Sequence, residues 1–154
     1  MSLQRFSSKR DSSLLALNRA DVARTPATVR DRAAERCEYC RLPDRIELTG
    51  PFHVEHIVAR QHRGTDDLSN LAWACSRCNR HKGTNLSAVD PDSGKVVSLF
   101  NPRGERWESH FEIAVVLILG TSAVGRATVQ LLQMNAERRV ELRSELINQG
   151  LWES

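Results

Sequence analysis

The sequence predicts an α+β fold built around two pairs of cysteines. Two short strands are predicted between the pairs, and a helix is predicted to begin within the second pair. The pairs are CEYC at 37–40 and CSRC at 75–78. Between them, stretches that mix apolar and polar residues suit short strands, and capping signals mark helices on both sides. With 154 residues, 40% apolar and 27% charged, the chain has the size and composition of one globular domain.

The first predicted helix lies in TPATVRDRAAERC. Thr25 can cap it, with Pro26 at its first position, where the missing N–H does no harm. We expect this helix to reach about Arg36 and to lead directly into the first cysteine pair. The preceding residues 1–25 are polar and rich in Arg and Ser apart from LLAL at 14–17, so we expect them to be loosely ordered or to form a short peripheral helix.

A strand–loop–strand–helix unit is predicted next. Turn residues and alternating polarity indicate strands at about 52–57 and 71–75, joined by the polar loop RQHRGTDDLSN. Ser76 is a competent N-cap for a helix over about 77–82, which Gly83 would end.

The C-terminal part predicts two more strands and two helices. The strands are expected at 95–100 and 110–119, and the second has apolar residues on both faces, which indicates burial on both sides. Helices are expected over about 122–134 and 136–149. We therefore expect a core unit at 26–90 with a C-terminal extension, 91–154, packed on it.

Charge and hydropathy restrict the class of protein. Of the 22 basic residues 19 are arginine, but 19 acids leave a net charge of only +3, which argues weakly for a polyanionic partner. The longest apolar run, IAVVLIL, is far shorter than the roughly 20 residues that span a bilayer. We expect a cytoplasmic protein without membrane contact, in which cysteines serve metal or redox chemistry rather than disulfides.

The two C-x-x-C pairs predict one structural zinc site. Each pair can present two thiolates about 3–4 Å apart, as tetrahedral zinc requires, and the predicted ligands are Cys37, Cys40, Cys75 and Cys78. A redox pair is the alternative, but two matched pairs without a thioredoxin-like pattern favour zinc. A closed site of four thiolates has no open position, so this zinc is not expected to be catalytic.

The stretch HVEHIVARQHRGTDDLSNLAWACSRCNRHK resembles the HNH endonuclease family. The resemblance is strong over residues 37–83, and from about 28 to 103 the chain is similar to bacterial HNH proteins with a four-cysteine zinc framework. It rests on the joint pattern of two C-x-x-C pairs that enclose E-H and N-L and are followed by N-x-x-K. It implies a ββα-metal (His-Me finger) nuclease unit.

This resemblance implies roles for four residues. His56 matches the general base, Asn70 matches the residue that braces the loop and orients the base, and Glu55 and Asn79 match ligands of a catalytic divalent ion. The chemistry suits these types, because histidine has an ordinary pKa of about 6.5, near neutrality. Oxygen ligands suit Mg²⁺ or Mn²⁺.

Three further residues are predicted to face substrate phosphate. Lys82 lies three residues after Asn79 and so shares its helix face, Arg80 lies between them, and His53 shares a strand face with Glu55. Arginines 60, 63, 77 and 80 flank the motif, and they suit phosphate contacts and a solvated surface equally well.

The predicted function is a metal-dependent HNH endonuclease that hydrolyses DNA. Double-stranded DNA is the favoured substrate, and the protein is expected to act as a monomer or a homodimer. The alternative is a catalytically inactive, zinc-containing nucleic-acid-binding module. The presence of Glu55, His56, Asn70 and Asn79 argues against it, because a decayed site need not keep all four.

Overall fold

The computed structural model describes residues 25–46 and 50–152, and these residues form four helices and three two-stranded sheets. The expectation for the segment 1–25 falls almost wholly on residues outside the described ranges. Helix α1 includes residues 25–32. Because Thr25 already lies within this helix, its predicted role as the cap is wrong.

Helix α1 also ends earlier than predicted. Ala34 and Glu35 adopt positive φ angles of 52° and 58°, which end the helix. Arg36, the predicted last helical residue, instead forms an isolated β-bridge with Pro43. This bridge closes the loop that carries the first cysteine pair, so the need to turn the chain there overrides the local helical preference.

Two antiparallel strands and a helix follow. Strands β1 (Phe52–His56) and β2 (Leu71–Cys75) pair along their whole length, so that Phe52 faces Cys75 and His56 faces Leu71. Helix α2 (Ser76–Lys82) begins directly after β2 and ends at Gly83. The predicted order of strand, loop, strand and helix is therefore confirmed.

The cap of α2 differs from the prediction. Cys75 is the N-cap, and its sulfur accepts a hydrogen bond from the Cys78 N–H at 3.4 Å. The predicted cap, Ser76, is the first residue of the helix, and its hydroxyl donates to the Pro51 carbonyl instead. The second C-x-x-C pair thus caps the helix in which it lies, although hydroxyl, carboxylate and amide side chains are the common N-caps.

A small hairpin follows the first unit. Strand β3 (Ser87–Val89), which was not predicted, pairs with β4 (Val96–Ser98), and β4 is shorter than the expected strand at 95–100. Asp90, in the turn between them, accepts two hydrogen bonds from Arg126 at 2.8 and 2.9 Å. This ion pair fixes the hairpin to a later helix.

The predicted single strand at 110–119 is wrong. The chain forms a second hairpin of β5 (Phe111–Ala114) and β6 (Leu117–Gly120), with Val115 in the turn at a φ of 59° and 87% exposed. Positive φ is rare for a β-branched residue. Folding the run back on itself pairs its backbone groups within the segment, whereas a single strand would need a partner strand elsewhere.

Two helices complete the chain. Helix α3 (Ala123–Leu131) is capped by the Ser122 hydroxyl, and α4 (Glu137–Asn148) precedes Gly150, which has a φ of 69°. Both helices were predicted, with ends that differ by up to three residues. Among the described residues, no helix has the length and apolar composition needed to cross a bilayer.

One hydrophobic core includes residues from both parts of the chain. The cysteines and strand residues of the first part lie in the same cluster as Phe100, Trp107, Phe111, Ile118, Leu132, Met134, Leu146 and Trp152. The C-terminal helices therefore pack on the cysteine-bearing unit. The predicted boundaries at 26–90 and 91–154 stay a prediction.

We predict that Gly125→Ala destabilises the fold. A Cβ at Gly125 would lie 1.9 Å from the backbone oxygen of His110, because α3 approaches the second hairpin closely there. The main chain must move, and we expect the free energy of unfolding to fall by about 2 kcal/mol. Urea denaturation measures this change.

Gly104→Ala is the matched control. A Cβ at Gly104 would meet only the Asn101 side chain, at 3.7 Å, which is ordinary contact. We expect an effect within about 0.5 kcal/mol. Equal stabilities of the Gly125 and Gly104 variants would contradict the close packing of α3 on the hairpin.

Candidate metal centre and active site

The four cysteines form one buried cluster. Their sulfur atoms all lie within 4.8 Å of one another, and the Cys40 and Cys75 sulfurs are 3.8 Å apart. Zinc–sulfur bonds of about 2.3 Å in a tetrahedron place sulfurs about 3.8 Å apart, whereas a disulfide needs about 2.05 Å. All four thiols are free and buried. The cluster therefore has the geometry of a site that could hold a metal ion.

Burial affects how these thiols ionise. It raises the pKa of Cys37 and of Cys78 well above the ordinary thiol value. Hydrogen bonds from Cys37 and the other two cysteines lower the pKa of Cys40. A metal ion must therefore displace protons from buried thiols, so metal binding and proton release are coupled.

A buried arginine from α4 contacts the cluster. Arg139 is 8% exposed and donates a hydrogen bond from Nη2 to the Cys78 sulfur at 3.1 Å. Burial by itself lowers the pKa of Arg139, but the charges of Cys40 and Cys78 outweigh this and raise it. The guanidinium thus supplies positive charge where thiolates would otherwise be uncompensated.

The residues between Cys37 and Cys40 attach the first cysteine pair to the core. Glu38 and Trp73 exchange hydrogen bonds, from the Glu38 N–H to the Trp73 carbonyl at 2.9 Å and from the Trp73 N–H to the Glu38 carboxylate at 2.8 Å. The Tyr39 carbonyl accepts from the Trp107 indole at 2.8 Å. These bonds hold the first pair against β2, next to the second pair.

Glu55 lies in a buried polar network. Its Oε1 accepts from the Lys82 ammonium at 2.5 Å, and its Oε2 accepts from the Tyr39 hydroxyl at 2.6 Å. Burial raises the pKa of Glu55, while Lys82 acts in the opposite direction. Glu55 and Lys82 are 3% and 2% exposed, so both carboxylate oxygens are occupied away from solvent.

Lys82 also fixes the end of β1. Its ammonium donates to the backbone carbonyls of His56 and Ile57, at 3.2 and 2.9 Å. All three ammonium protons therefore have acceptors inside the fold. The expected roles of Glu55 as an ion ligand and Lys82 as a phosphate contact stay predictions, and in the observed arrangement each side chain already has its partners.

His56 carries a carboxylate partner. Its Nε2 lies 2.7 Å from Asp66 Oδ1, and Arg60 contacts the same carboxylate. The His56 side chain is 24% exposed, so its ring is accessible. Hydrogen bonds, first from His56 and then from Arg60, lower the pKa of Asp66. A histidine oriented by an ionised carboxylate can serve as a general base.

Asn70 joins the two ends of the loop that holds Asp66. Its amide oxygen accepts from the Val58 N–H at 2.9 Å, and its amide nitrogen donates to the carbonyls of Val58 and Thr65 at 2.9 and 2.8 Å. Gly64 lies against the same backbone, where a Cβ would be 1.6 Å from the Val58 oxygen. Asn70 therefore connects Val58 to Thr65 across this loop, and its expected role in orienting the base stays a prediction.

The remaining expected residues lie on exposed or half-buried surface. Asn79 is half-buried and Arg80 is exposed on α2. His53 lies near the other end of β1, where its Nε2 is 3.3 Å from the Ser76 hydroxyl. The structure thus places His53 at the start of α2. It places the His56 ring against Asp66 and the His56 carbonyl against Lys82, the last residue of α2.

Sequence reasoning missed two residues at these sites. The sequence analysis placed Asp66 only in a polar loop and Arg139 only in the predicted helix at 136–149. Asp66 is ten residues from His56 and Arg139 is 61 residues from Cys78 along the chain. The only local signal is the acidic pair in GTDDLSN, which is equally typical of a turn.

We predict that Lys82→Met destabilises the protein strongly. The change leaves the Glu55 carboxylate buried without its cation and leaves two carbonyls without a donor. We expect the free energy of unfolding to fall by about 3 kcal/mol. Adding Glu55→Gln should recover part of this loss, because the uncompensated charge is then removed.

Lys95→Met is the control for this pair, since Lys95 is exposed. Urea denaturation of the single and double variants gives the coupling free energy. A loss no larger than that of the control, or a double variant with purely additive losses, would contradict a buried Glu55–Lys82 pair.

Comparison with known proteins gives one match. A family model described as HNH endonuclease matches residues 37–85, which include both cysteine pairs, β1, the braced loop, β2 and α2. No curated protein and no solved structure gives a significant match. The segment from Cys37 to Asn85 is therefore similar to the HNH endonuclease family.

Proposed function

We propose that this protein is a metal-dependent endonuclease that hydrolyses phosphodiester bonds of DNA. The observation that carries the proposal is the contact between His56 and Asp66, 2.7 Å apart, in a loop braced by Asn70 within the matched segment. An accessible histidine held by a carboxylate is the element that a hydrolytic site needs to activate water.

His56 acts as the base in this proposal. When Nε2–H donates to Asp66, Nδ1 keeps its lone pair and can take a proton from water as that water attacks phosphorus. Among the described residues, Nδ1 has no hydrogen-bond partner. Asp66 stabilises the imidazolium that forms, and Asn70 keeps the loop from moving Asp66 away.

Glu55 and Asn79, the expected ligands, do not fit a catalytic divalent ion in the observed arrangement. Both carboxylate oxygens of Glu55 already accept hydrogen bonds, from Lys82 and Tyr39. Of the two, Asn79 alone has a side chain without a partner among the described residues. The Mg²⁺ or Mn²⁺ requirement rests on the family match. The ligand roles of Glu55 and Asn79 stay expectations that follow from the family resemblance, and we derive no step from the ion.

Arginines around His56 are proposed to hold the DNA backbone. Arg80 and Arg63 are exposed and have no side-chain partner within the described residues. Each can form a bidentate contact with a phosphate. The phosphate contacts expected of His53 and Lys82 stay predictions. In the observed arrangement His53 lies next to Ser76 and Lys82 is buried.

We further propose that the cysteine cluster holds a structural zinc ion. The clustering of all four buried sulfurs at tetrahedral spacing supports zinc over a redox pair, which needs only two. Four thiolates around zinc leave a formal charge of −2, and Arg139 is placed to offset part of it. The zinc would join the first cysteine loop to the start of α2.

We predict that His56→Ala abolishes most nicking of supercoiled plasmid in the presence of Mg²⁺ or Mn²⁺. Loss of the base should lower the rate by roughly 10²-fold or more. Gel separation of supercoiled and open-circle plasmid measures the rate. Asp66→Asn should give an intermediate loss, because it keeps a hydrogen-bond partner but removes the charge.

His62→Ala is the matched control, since His62 is an exposed histidine in the same loop. We expect it to cut at the wild-type rate. A wild-type protein that binds DNA but cuts nothing with any divalent metal would favour the alternative, a zinc-containing binding module. A His56→Ala variant that cuts normally would contradict the role of His56.

We predict that Arg139→Gln weakens zinc binding. Removing a hydrogen bond from a thiolate, together with a buried positive charge, should lower zinc affinity about tenfold or more. Competition with a chromophoric chelator measures this affinity without any reference to nuclease activity.

Arg138→Gln is the control, because it removes the same charge from an exposed neighbour on α4. Arg139→Lys should retain part of the affinity. Melting curves at saturating zinc will separate zinc loss from misfolding. If the Arg138 and Arg139 variants release zinc equally easily, the specific contact with Cys78 is unimportant.

A further inference from the structure

A cavity of about 180 Å³ lies between α4 and the outer side of the cysteine cluster, apart from the His56 loop. Its lining residues come from both cysteine segments, α2, α4 and the C-terminal end of the described chain: Cys40, Leu42, Cys75, Arg77, Arg138, Arg139, Leu142, Arg143 and Trp152. The described lining residues include four arginines and no acid.

Two residues that line this cavity each carry a buried donor without an acceptor in the described part of the chain. These donors are Arg143 Nε and Trp152 Nε1, and the two residues are 2% and 8% exposed. The other two Arg143 nitrogens are satisfied, by the carbonyls of Val116 and Met134. Buried N–H groups without an acceptor are costly, so a group that supplies acceptors is expected here.

The charge around the cavity favours an anion. The four arginines carry a formal +4, whereas four thiolates with one zinc ion carry −2. Arg139 is engaged with Cys78, but Arg77 and Arg138 at the cavity have no side-chain partner among the described residues. Positive charge therefore remains after the metal centre is compensated.

The cavity has room for a small ion. Its volume of about 180 Å³ accommodates an ion of five heavy atoms, such as phosphate. Leu42 and Leu142 contribute apolar walls, and an apolar surrounding lowers the local dielectric and strengthens contacts with an anion.

We propose that this cavity binds a phosphate group, which accepts hydrogen bonds from Arg143 Nε and Trp152 Nε1 and pairs with Arg138 and Arg77. The group is either free orthophosphate or the terminal phosphate of a nucleic-acid strand. The site lies at the Cys75 end of β2, whereas His56 pairs with Leu71 at the other end, about 13 Å away along the strand. It is therefore distinct from the proposed cleavage site and does not depend on the nuclease proposal.

Calorimetric titration of the zinc-containing protein with orthophosphate tests the site. We expect saturable binding of one phosphate per chain, beyond any effect of sodium chloride at equal ionic strength. Trp152→Phe keeps an aromatic side chain but removes the unsatisfied N–H, and it should weaken phosphate binding about tenfold. Arg138→Gln should weaken it several-fold, because an exposed charge at the cavity is lost.

Arg106→Gln is the matched control, since Arg106 is exposed and does not line the cavity. We expect it to bind phosphate as the wild type does, and so should His56→Ala. Wild-type protein that gives no saturable signal would overturn the proposal. So would Trp152→Phe and Arg138→Gln variants that fold, retain zinc and bind phosphate unchanged.

Competition with short oligonucleotides separates the two sources of the phosphate. A strand with a 5′- or 3′-terminal phosphate that displaces orthophosphate, when the same strand with hydroxyl ends does not, would assign the site to a nucleic-acid end. Displacement by neither strand would assign it to the free ion. Equal displacement by both strands would overturn the terminal-phosphate assignment, because internal phosphates would then suffice.

Discussion

The pairing of the buried Lys82 ammonium is the interaction on which the arrangement of residues 37–85, the segment that matches the HNH family model, depends. It joins the last residue of α2 to the Glu55 carboxylate and to the carbonyls of His56 and Ile57. A charge that is 2% exposed must be fully paired, since desolvation of a lone ammonium costs several kcal/mol. This requirement fixes how α2 lies against β1, and Tyr39 extends the same network to the first cysteine loop.

The cysteine cluster constrains the opposite end of the same helix. Cys75 caps α2 and Cys78 lies one turn later, so the sulfur cluster holds the N-terminus while Lys82 holds the C-terminus. A helix of seven residues is too short to be stable alone. Its position comes from these two polar attachments, and it carries Asn79 and Arg80 on the surface between them.

Residues beyond the HNH match complete the surroundings of the cluster. Arg139 connects the Cys78 sulfur to the Leu132 carbonyl at the end of α3, and Arg143 bonds to Val116 in the second hairpin. Buried arginines of α4 therefore connect the C-terminal part to the cysteine cluster and to the second hairpin through specific donors. An aliphatic helix face would pack there equally well but would leave the sulfurs and carbonyls unsatisfied.

The sequence by itself determined the features that depend on local pattern: the cysteine pairs, the order of β1, β2 and α2, and both C-terminal helices. Only the tertiary structure decided that Val115 turns a hairpin, and that His56 meets Asp66. The same holds for Glu55, which is buried against Lys82, 27 residues away. Periodicity and capping act over a few residues, whereas these pairings depend on which surfaces exclude water when distant segments pack.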